Sequence, residues 1–140
     1  MSGFHTNIEK DTLENNYFRK VLFTGVHTQL VLMSLKPKEE IGMETHEDVD
    51  QFFRFESGVG KSILNGEEAD LKADDVLIVP AGTEHNIINT SETEPLKIYT
   101  LYSPPNHPVG TIHVTKEDAD AAEAAGHATA PKEVDLAQNE

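Results

Sequence analysis

Four side chains in this sequence have the chemistry and the spacing of a metal site. Glu44, His46 and Gln51 place a carboxylate, an imidazole and a carboxamide in one short stretch, and His85 adds a second imidazole downstream. Residues two apart on an extended strand point to the same face, so Glu44 and His46 can converge on one ion. A turn and a second strand can return Gln51 to the same place, as in metal sites built on a β-scaffold.

The segments around these residues have the character of β-strands. Runs rich in Val, Leu, Ile and Phe alternate with turn residues, and we expect strands at 18–24, 28–35, 51–56, 59–64, 75–79, 85–89 and 96–102. Asn65 followed by Gly66 is the strongest short-range hairpin signal. This pattern of short strands and regular turns predicts an all-β sandwich or barrel.

The remaining segments suggest how the chain is organised. The predicted parts are an N-terminal arm at 1–16, a β-barrel at 17–114, a C-terminal helix at 115–126 and a disordered tail at 127–140. The arm has little apolar periodicity, so we expect it to order only against another surface. The helix is the one good candidate in the sequence, with a capping pattern from Thr115 to Asp118 and a stop at Gly126. The tail is polar and has too little apolar surface to bury.

Composition excludes several classes of partner. The chain has 140 residues, enough for one domain with a hydrophobic core, and its 25 acidic and 11 basic side chains give a formal charge of −14. Without clustered Lys and Arg, we expect no binding to nucleic acid or to anionic membranes. The absence of Cys excludes disulfides and thiolate ligands. No secretory signal or membrane-spanning apolar run is visible, so we expect a soluble, cytoplasmic protein.

Two motif stretches resemble those of the small cupins. The first cupin motif has the form G-x5-H-x-H-x3,4-E-x6-G, and its spacing is matched here by Lys38, Glu44, His46, Gln51 and Gly58. The second has the form G-x5-P-x-G-x2-H-x3-N and is matched by Asp74, Pro80, Gly82, His85 and Asn89. The resemblance covers residues 18–102 and implies a single-domain double-stranded β-helix, or jelly-roll barrel. Many such cupins are labelled mannose-6-phosphate isomerase-like on fold similarity alone.

The ligand positions depart from the cupin pattern in a compensating way. Glu44 replaces the first histidine and Gln51 replaces the glutamate, so one carboxylate is kept but at another position. The resemblance implies a divalent ion, such as Fe, Mn, Zn or Ni, held by Glu44, His46 and His85, with Gln51 in or near the coordination sphere. The alternative is a metal-free barrel in which these groups are polar lining, which needs costly compensation for a buried carboxylate. On the metal reading, Glu44→Ala should remove the ion far more than Gln51→Ala.

The opening glycines of the two motifs are also replaced, by Lys38 and Asp74. Aspartate tolerates a left-handed backbone moderately well. Pro37 before Lys38 favours a type I turn, which needs no positive φ.

Four further residues are candidates for a ligand pocket. By strand parity, Phe53 and Phe55 share the inner face of Gln51, where they either line a pocket or pack in the core. Asn89 also points inward and can either hydrogen-bond a ligand or end its strand. His107 lies in a proline-rich loop after the last barrel strand, where it can fold over the barrel mouth.

Several functions are compatible with these features. The first is a metal-dependent enzyme, of dioxygenase or isomerase type, acting on a small oxygenated metabolite. The second is a non-catalytic cupin that binds a small ligand, and a third is a sugar-phosphate isomerase. Against the third, the motif strands place no Lys or Arg inward to hold a phosphate. Strands that are apolar on both faces and an otherwise unanchored N-terminal arm fit a homodimer, with arms exchanged or sheets packed, and the resemblance implies one too.

Overall fold

The computed structural model describes residues 3–126. This part of the chain contains nine strands and two helices. The helices are α1 (Ile8–Glu14) and α2 (Lys116–Ala124). The strands are β1 (Arg19–Thr24), β2 (Gln29–Leu35), β3 (Asp50–Ser57), β4 (Val59–Leu64), β5 (Glu67–Lys72), β6 (Val76–Val79), β7 (His85–Asn89), β8 (Leu96–Ser103) and β9 (Ile112–His113). The predicted all-β jelly-roll barrel with a short C-terminal helix is confirmed.

The strands form two antiparallel sheets around one core. The larger sheet has the order β6-β3-β8-β2-β1-β9, and the smaller has the order β5-β4-β7. Phe53 and Ile98 of the larger sheet and Ile87 of the smaller one all belong to the same buried cluster. Along β3, Gln51, Phe53 and Phe55 are buried while the residues between them are partly exposed, as a period of two requires.

The Asn65-Gly66 hairpin forms as predicted and leads into a strand that the sequence did not reveal. Both residues have positive φ, 46° and 85°, and they join β4 to β5. This is the backbone that Asn-Gly favours in a two-residue hairpin. Strand β5 was missed because four of its first five residues are acidic or alanine and only Leu71 is buried. Its register comes from pairing with β4, not from its own pattern.

The two residues that replace the motif glycines keep a glycine-like backbone. Lys38 has φ 64° and Asp74 has φ 75°. The expectation of a type I turn without positive φ at Lys38 is therefore wrong. The amide of Lys38 donates to the Ser91 carbonyl at 3.1 Å, and that of Asp74 donates to the Phe55 carbonyl at 2.7 Å. These long-range hydrogen bonds hold both turns in a conformation that disfavours a Cβ.

The N-terminal arm contains a helix that the sequence analysis missed. Helix α1 begins after Asn7, whose side chain accepts a hydrogen bond from the Lys10 amide. At its other end, the Lys97 ammonium donates to the Asn15 carbonyl and the Asn16 side chain. Lys97 points away from the core on β8, so α1 packs on the outer face of the larger sheet. The surface that orders the arm is thus the chain's own sheet.

Helix α2 confirms the predicted C-terminal helix. Thr115 caps it, and a reciprocal pair of hydrogen bonds with Asp118 forms the expected capping box. Gly126 follows its end with φ 78°. The tail predicted at 127–140 lies outside the described residues. Among the residues described, no helix is long and apolar enough to cross a membrane.

Candidate metal centre

Glu44, His46 and His85 come together inside the barrel. The extended segment before β3 pairs with β7, because the Glu44 and His85 backbones exchange two hydrogen bonds of 2.9 Å. Glu44 Oε1 then lies 3.3 Å from His46 Nε2 and 3.6 Å from His85 Nε2. One donor atom from each of the three residues lies within 4.8 Å of the others.

These separations fit coordination of one ion. Each oxygen-to-nitrogen separation, 3.3 or 3.6 Å, is shorter than twice a metal–ligand bond of about 2.0–2.2 Å, so one ion would be within reach of the carboxylate and either imidazole. Among the described residues, His85 Nε2 is buried without a hydrogen-bond partner, since 3.6 Å to Glu44 exceeds a normal hydrogen bond. An ion would satisfy that nitrogen, so the donor set fits a divalent metal.

The tautomer of His85 suits a ligand. Its Nδ1 lies 2.9 Å from the Thr83 carbonyl, to which only a protonated nitrogen can donate. The proton on Nδ1 leaves the Nε2 lone pair facing Glu44 and His46 when the ring is neutral. The side chain is 1 % exposed, so its orientation is fixed by packing as well as by this hydrogen bond.

The carboxylate of the group is strongly held in its charged form. Burial alone raises the pKa of Glu44, but the hydrogen bond with His46 and the close approach of the His85 imidazole outweigh it and hold that pKa well below its usual range. For His85, burial lowers the pKa, while Glu44 and the Thr83 carbonyl raise it to a net value above the ordinary one. One carboxylate between two imidazoles therefore supplies one negative charge for a divalent ion.

Gln51 lies on the inner face of β3 and is linked to this group through Tyr102. It is 1 % exposed, and its Nε2 donates to Thr100 Oγ1 at 3.1 Å. Its Oε1 is buried and has no hydrogen-bond partner within residues 3–126. Gln51 pairs across the sheet with Tyr102, whose ring packs edge-on against His46 at 5.9 Å between centroids. A buried, unsatisfied amide oxygen so placed can receive a ligand, a water or an ion.

Three of the four predicted pocket residues serve the structure itself. Phe53 and Phe55 stack at 6.2 Å and are fully buried in the core. The Asn89 amide donates to the carbonyls of Leu35, Lys36 and Glu94, which ends its strand and ties the adjacent loops. Of the two roles considered for these residues, their surroundings favour packing and strand termination.

His107 lines a cavity next to the metal group. The cavity has a volume of about 240 Å³, and its lining includes Glu44, His46, Arg19 and His107. Gln29 fixes the loop that bears His107, because its Oε1 accepts from the His107 amide at 3.0 Å and its Nε2 donates to the His107 carbonyl at 2.8 Å. Helix α2 completes the lining with Ala119, Asp120 and Glu123.

Arg19 is the site residue that the sequence analysis missed. The motif strands supply no inward cation, but Arg19 comes from β1, outside both motifs, and is 7 % exposed. Arg19 and Val21 are two apart on β1 and share its inner face. This period of two is the sequence pattern that could have predicted an inward-facing arginine. Burial and the charge of Arg19 together shift the pKa values of Tyr102 and His113. Burial raises the pKa of Tyr102 to about 12 although Arg19 lowers it in part, and burial and Arg19 both lower the pKa of His113.

An antiparallel barrel with two imidazoles and a carboxylate converging inside it defines a class of β-barrel proteins with an internal candidate metal centre. The sequence profile of the cupin domain matches residues 31–102, which is just over half of the chain. The chain therefore belongs to the cupin family.

Individual proteins support this assignment. The chain is 51% identical over 127 residues to YrkC, an uncharacterized protein of Bacillus subtilis, covering 86% of this chain and 67% of YrkC. The crystal structure of BH2720 from Bacillus halodurans is 43% identical with a TM-score of 0.83, covering 85% of this chain and 94% of that one. A Thermotoga maritima protein, tm1287, described as a predicted oxalate decarboxylase, is 28% identical with a TM-score of 0.52, covering 54% of this chain and 65% of that one.

Proposed function

We propose that this cupin binds one divalent metal ion through Glu44, His46 and His85 and acts on a small oxygenated metabolite. The observation that supports this most is the buried, unsatisfied Nε2 of His85 beside a carboxylate and a second imidazole, all within 4.8 Å. Without an ion, an unsatisfied buried nitrogen and a largely buried carboxylate are costly. Fe, Mn, Zn, Ni and Co all accept such ligands.

The residues have separate roles in this proposal. A divalent ion at this place supplies Lewis acidity or, if it is iron, a platform for oxygen chemistry of the dioxygenase type. Glu44, His46 and His85 hold the ion, and the free Oε1 of Gln51 orients a water or a ligand. An isomerase reaction uses the same residues in the same roles. The description of tm1287 as a predicted oxalate decarboxylase supports a small, oxygen-rich substrate.

Metal analysis of protein purified without chelators tests the proposal. We expect about one equivalent of a divalent ion per chain, or saturation at about one equivalent when Fe or Mn is added. Less than about a tenth of an equivalent, with no response to either ion, would refute metal binding. Glu47→Gln is a matched control, since Glu47 is outside the group of three but its substitution removes the same charge.

A non-catalytic ligand-binding role is the second candidate. It is favoured by the 240 Å³ cavity, which is concave and large enough for a small molecule. Turnover of any oxygenated substrate by the metal-loaded protein would contradict it. A sugar-phosphate isomerase activity stays a prediction with weaker support, because within the described chain the cavity lining contains a single cation, Arg19.

We also propose that the protein is a homodimer packed through the larger sheet. Ile78, on the edge strand β6, is 61 % exposed, and it pairs with Phe52, which in turn pairs with Leu101. These side chains form an apolar row on the outer face, beside the area that α1 covers. Light scattering should give a dimer mass that Ile78→Lys reduces to that of a monomer. A monomer mass for the unmodified protein would contradict this. The cytoplasmic location remains a prediction.

A further inference from the structure

Arg19 is a buried charge without an ion-pair partner. It is 7 % exposed, and within residues 3–126 no carboxylate lies within ion-pair distance of its guanidinium. One terminal nitrogen lies 3.1 Å from His113 Nδ1, and the group lies 5.2 Å from the Phe18 ring centroid. The guanidinium also acts on the Tyr102 hydroxyl, whose pKa burial raises and Arg19 lowers in part, but neither His113 nor Tyr102 is a carboxylate. Its Nε is buried and has no hydrogen-bond partner in the same part of the chain.

Arg54, the only other arginine, has carboxylate partners that Arg19 lacks. It pairs with Asp74 at 2.9 Å and with Glu56 at 3.5 Å, although it is more exposed than Arg19. A charge taken out of water needs compensation more than one left partly in it. Of the two guanidinium groups, the more buried one is therefore the one that lacks a carboxylate partner within residues 3–126.

The position of Arg19 indicates what could compensate its charge. It lines the same cavity as Glu44 and His46, so a bound molecule can face the guanidinium and the metal group together. A guanidinium is a planar fork of donors that matches the two oxygens of a carboxylate. The volume of about 240 Å³ corresponds to about eight water molecules, which limits the ligand to a small molecule.

We propose that the ligand of this cavity is a small carboxylate, with its carboxylate group paired to Arg19 and a second oxygen turned toward Glu44, His46 and His85. The second contact rests on the proposed metal function, whereas the pairing with Arg19 does not. Two acidic residues of α2, Asp120 and Glu123, also line the cavity. Asp120 is engaged with Lys116 at 3.2 Å, and neither carboxylate reaches Arg19 within ion-pair distance.

Malonate and its neutral isostere malonamide are suitable probes, because they have the same size and differ in charge. Both compounds are titrated calorimetrically into metal-free and Mn²⁺-loaded protein. Malonate should bind more tightly than malonamide, and substitution of Arg19 should leave the affinity for malonamide unchanged. We expect Arg19→Met to weaken malonate binding by at least about tenfold in both forms. Arg19→Lys keeps the charge but loses the planar pair of donors, so its affinity for malonate should lie between those of the unmodified protein and Arg19→Met. Arg54→Met, which removes the same charge elsewhere, should leave the affinity unchanged.

The outcomes separate this inference from the metal proposal. Equal malonate affinity in the unmodified protein and Arg19→Met, equal binding of malonate and malonamide, or no malonate binding up to about 10 mM would each overturn the role of Arg19. If the unmodified protein bound no Mn²⁺ but still bound malonate in a way that depends on Arg19, only the metal proposal would be refuted. Circular dichroism and thermal unfolding of Arg19→Met verify that it folds. If it does not, Arg19→Lys alone decides, through its expected loss of malonate affinity relative to the unmodified protein.

Discussion

Substitution of Glu44 by glutamine should weaken binding of a divalent ion by at least about 100-fold, whereas Gln51→Met should weaken it by less than about tenfold. Both changes keep the approximate size of the side chain. The first removes the only formal negative charge of the donor group, and the second removes a neutral oxygen. The same order is expected for the corresponding alanine variants, Glu44→Ala and Gln51→Ala.

The magnitude follows from the geometry of the three donors. Separations of 3.3 and 3.6 Å from Glu44 Oε1 to the two imidazole nitrogens would allow a shared ion at the usual bond length of about 2.1 Å from that oxygen. At this distance, charges of +2 and −1 attract by about 4 kcal/mol even with the dielectric constant of bulk water. An amide oxygen recovers part of this attraction through its dipole. A net loss of about 2.7 kcal/mol corresponds to a factor of about 100.

Competitive titration with a chelator of known affinity measures this difference for Mn²⁺ or Zn²⁺. Thermal unfolding of each metal-free variant verifies that the barrel is intact, and Glu47→Gln controls for a general effect of charge. If Gln51→Met proved as damaging as Glu44→Gln, or more so, the assignment of Glu44 as the anionic ligand would be wrong.

Three other predictions concern the framework and the neighbours of Arg19. Lys97→Met removes two hydrogen bonds that hold the end of α1, and it should lower the free energy of unfolding by about 1–3 kcal/mol and speed amide exchange in α1. In urea unfolding, Gly58→Ala should lower the free energy of unfolding by about 1–3 kcal/mol more than Gly42→Ala does. A Cβ at Gly58 would lie 2.5 Å from a backbone oxygen, whereas a Cβ at Gly42 would have no atom within 4 Å. The two glycines have similar φ, 100° and 103°, so the comparison isolates the steric contact. In Arg19→Met, an NMR titration should show a higher pKa for His113, because one of the two causes that lower it, burial and the Arg19 charge, is removed. Since burial and Arg19 hold that pKa below 6.5, the ordinary value for a histidine, the stability linked to His113 is present above pH 6.5 and is lost as pH falls through the folded-state pKa.

The sequence predicted the site where local spacing determines geometry. Glu44 and His46 share a face because they are two apart on an extended segment, and His85 reaches them because its strand pairs with that segment. The positions of the motif turns were also correct. Their backbone was not, because local preference at Lys38 pointed to negative φ while a hydrogen bond to the Ser91 carbonyl favours the left-handed turn.

The features that escaped prediction depend on contacts distant in sequence. Helix α1 has only seven residues, too few to be stable alone, and it is held through Lys97, far along the chain. Strand β9 has two residues and exists because it pairs with β1. Arg19 belongs to no motif, and its approach to the cavity depends on how β1 and α2 come together. Tertiary packing sets each of these, and the one local signal, the period-two position of Arg19 beside Val21, indicates an inward face but not the cavity that it lines.

The exchange of positions between carboxylate and amide has a physical rationale that a double variant can test. In the cupin pattern the carboxylate occupies the position of Gln51, which is 1 % exposed here, whereas the Glu44 side chain is 28 % exposed and lies between two imidazoles. The present arrangement thus keeps the negative charge where desolvation is smaller. If one carboxylate is what the ion requires, Gln51→Glu should restore at least about tenfold of the affinity lost in Glu44→Gln, while lowering the stability of the metal-free protein by burying a charge. A double variant that binds metal no better than Glu44→Gln would show that the position of the charge, and not its number alone, determines binding.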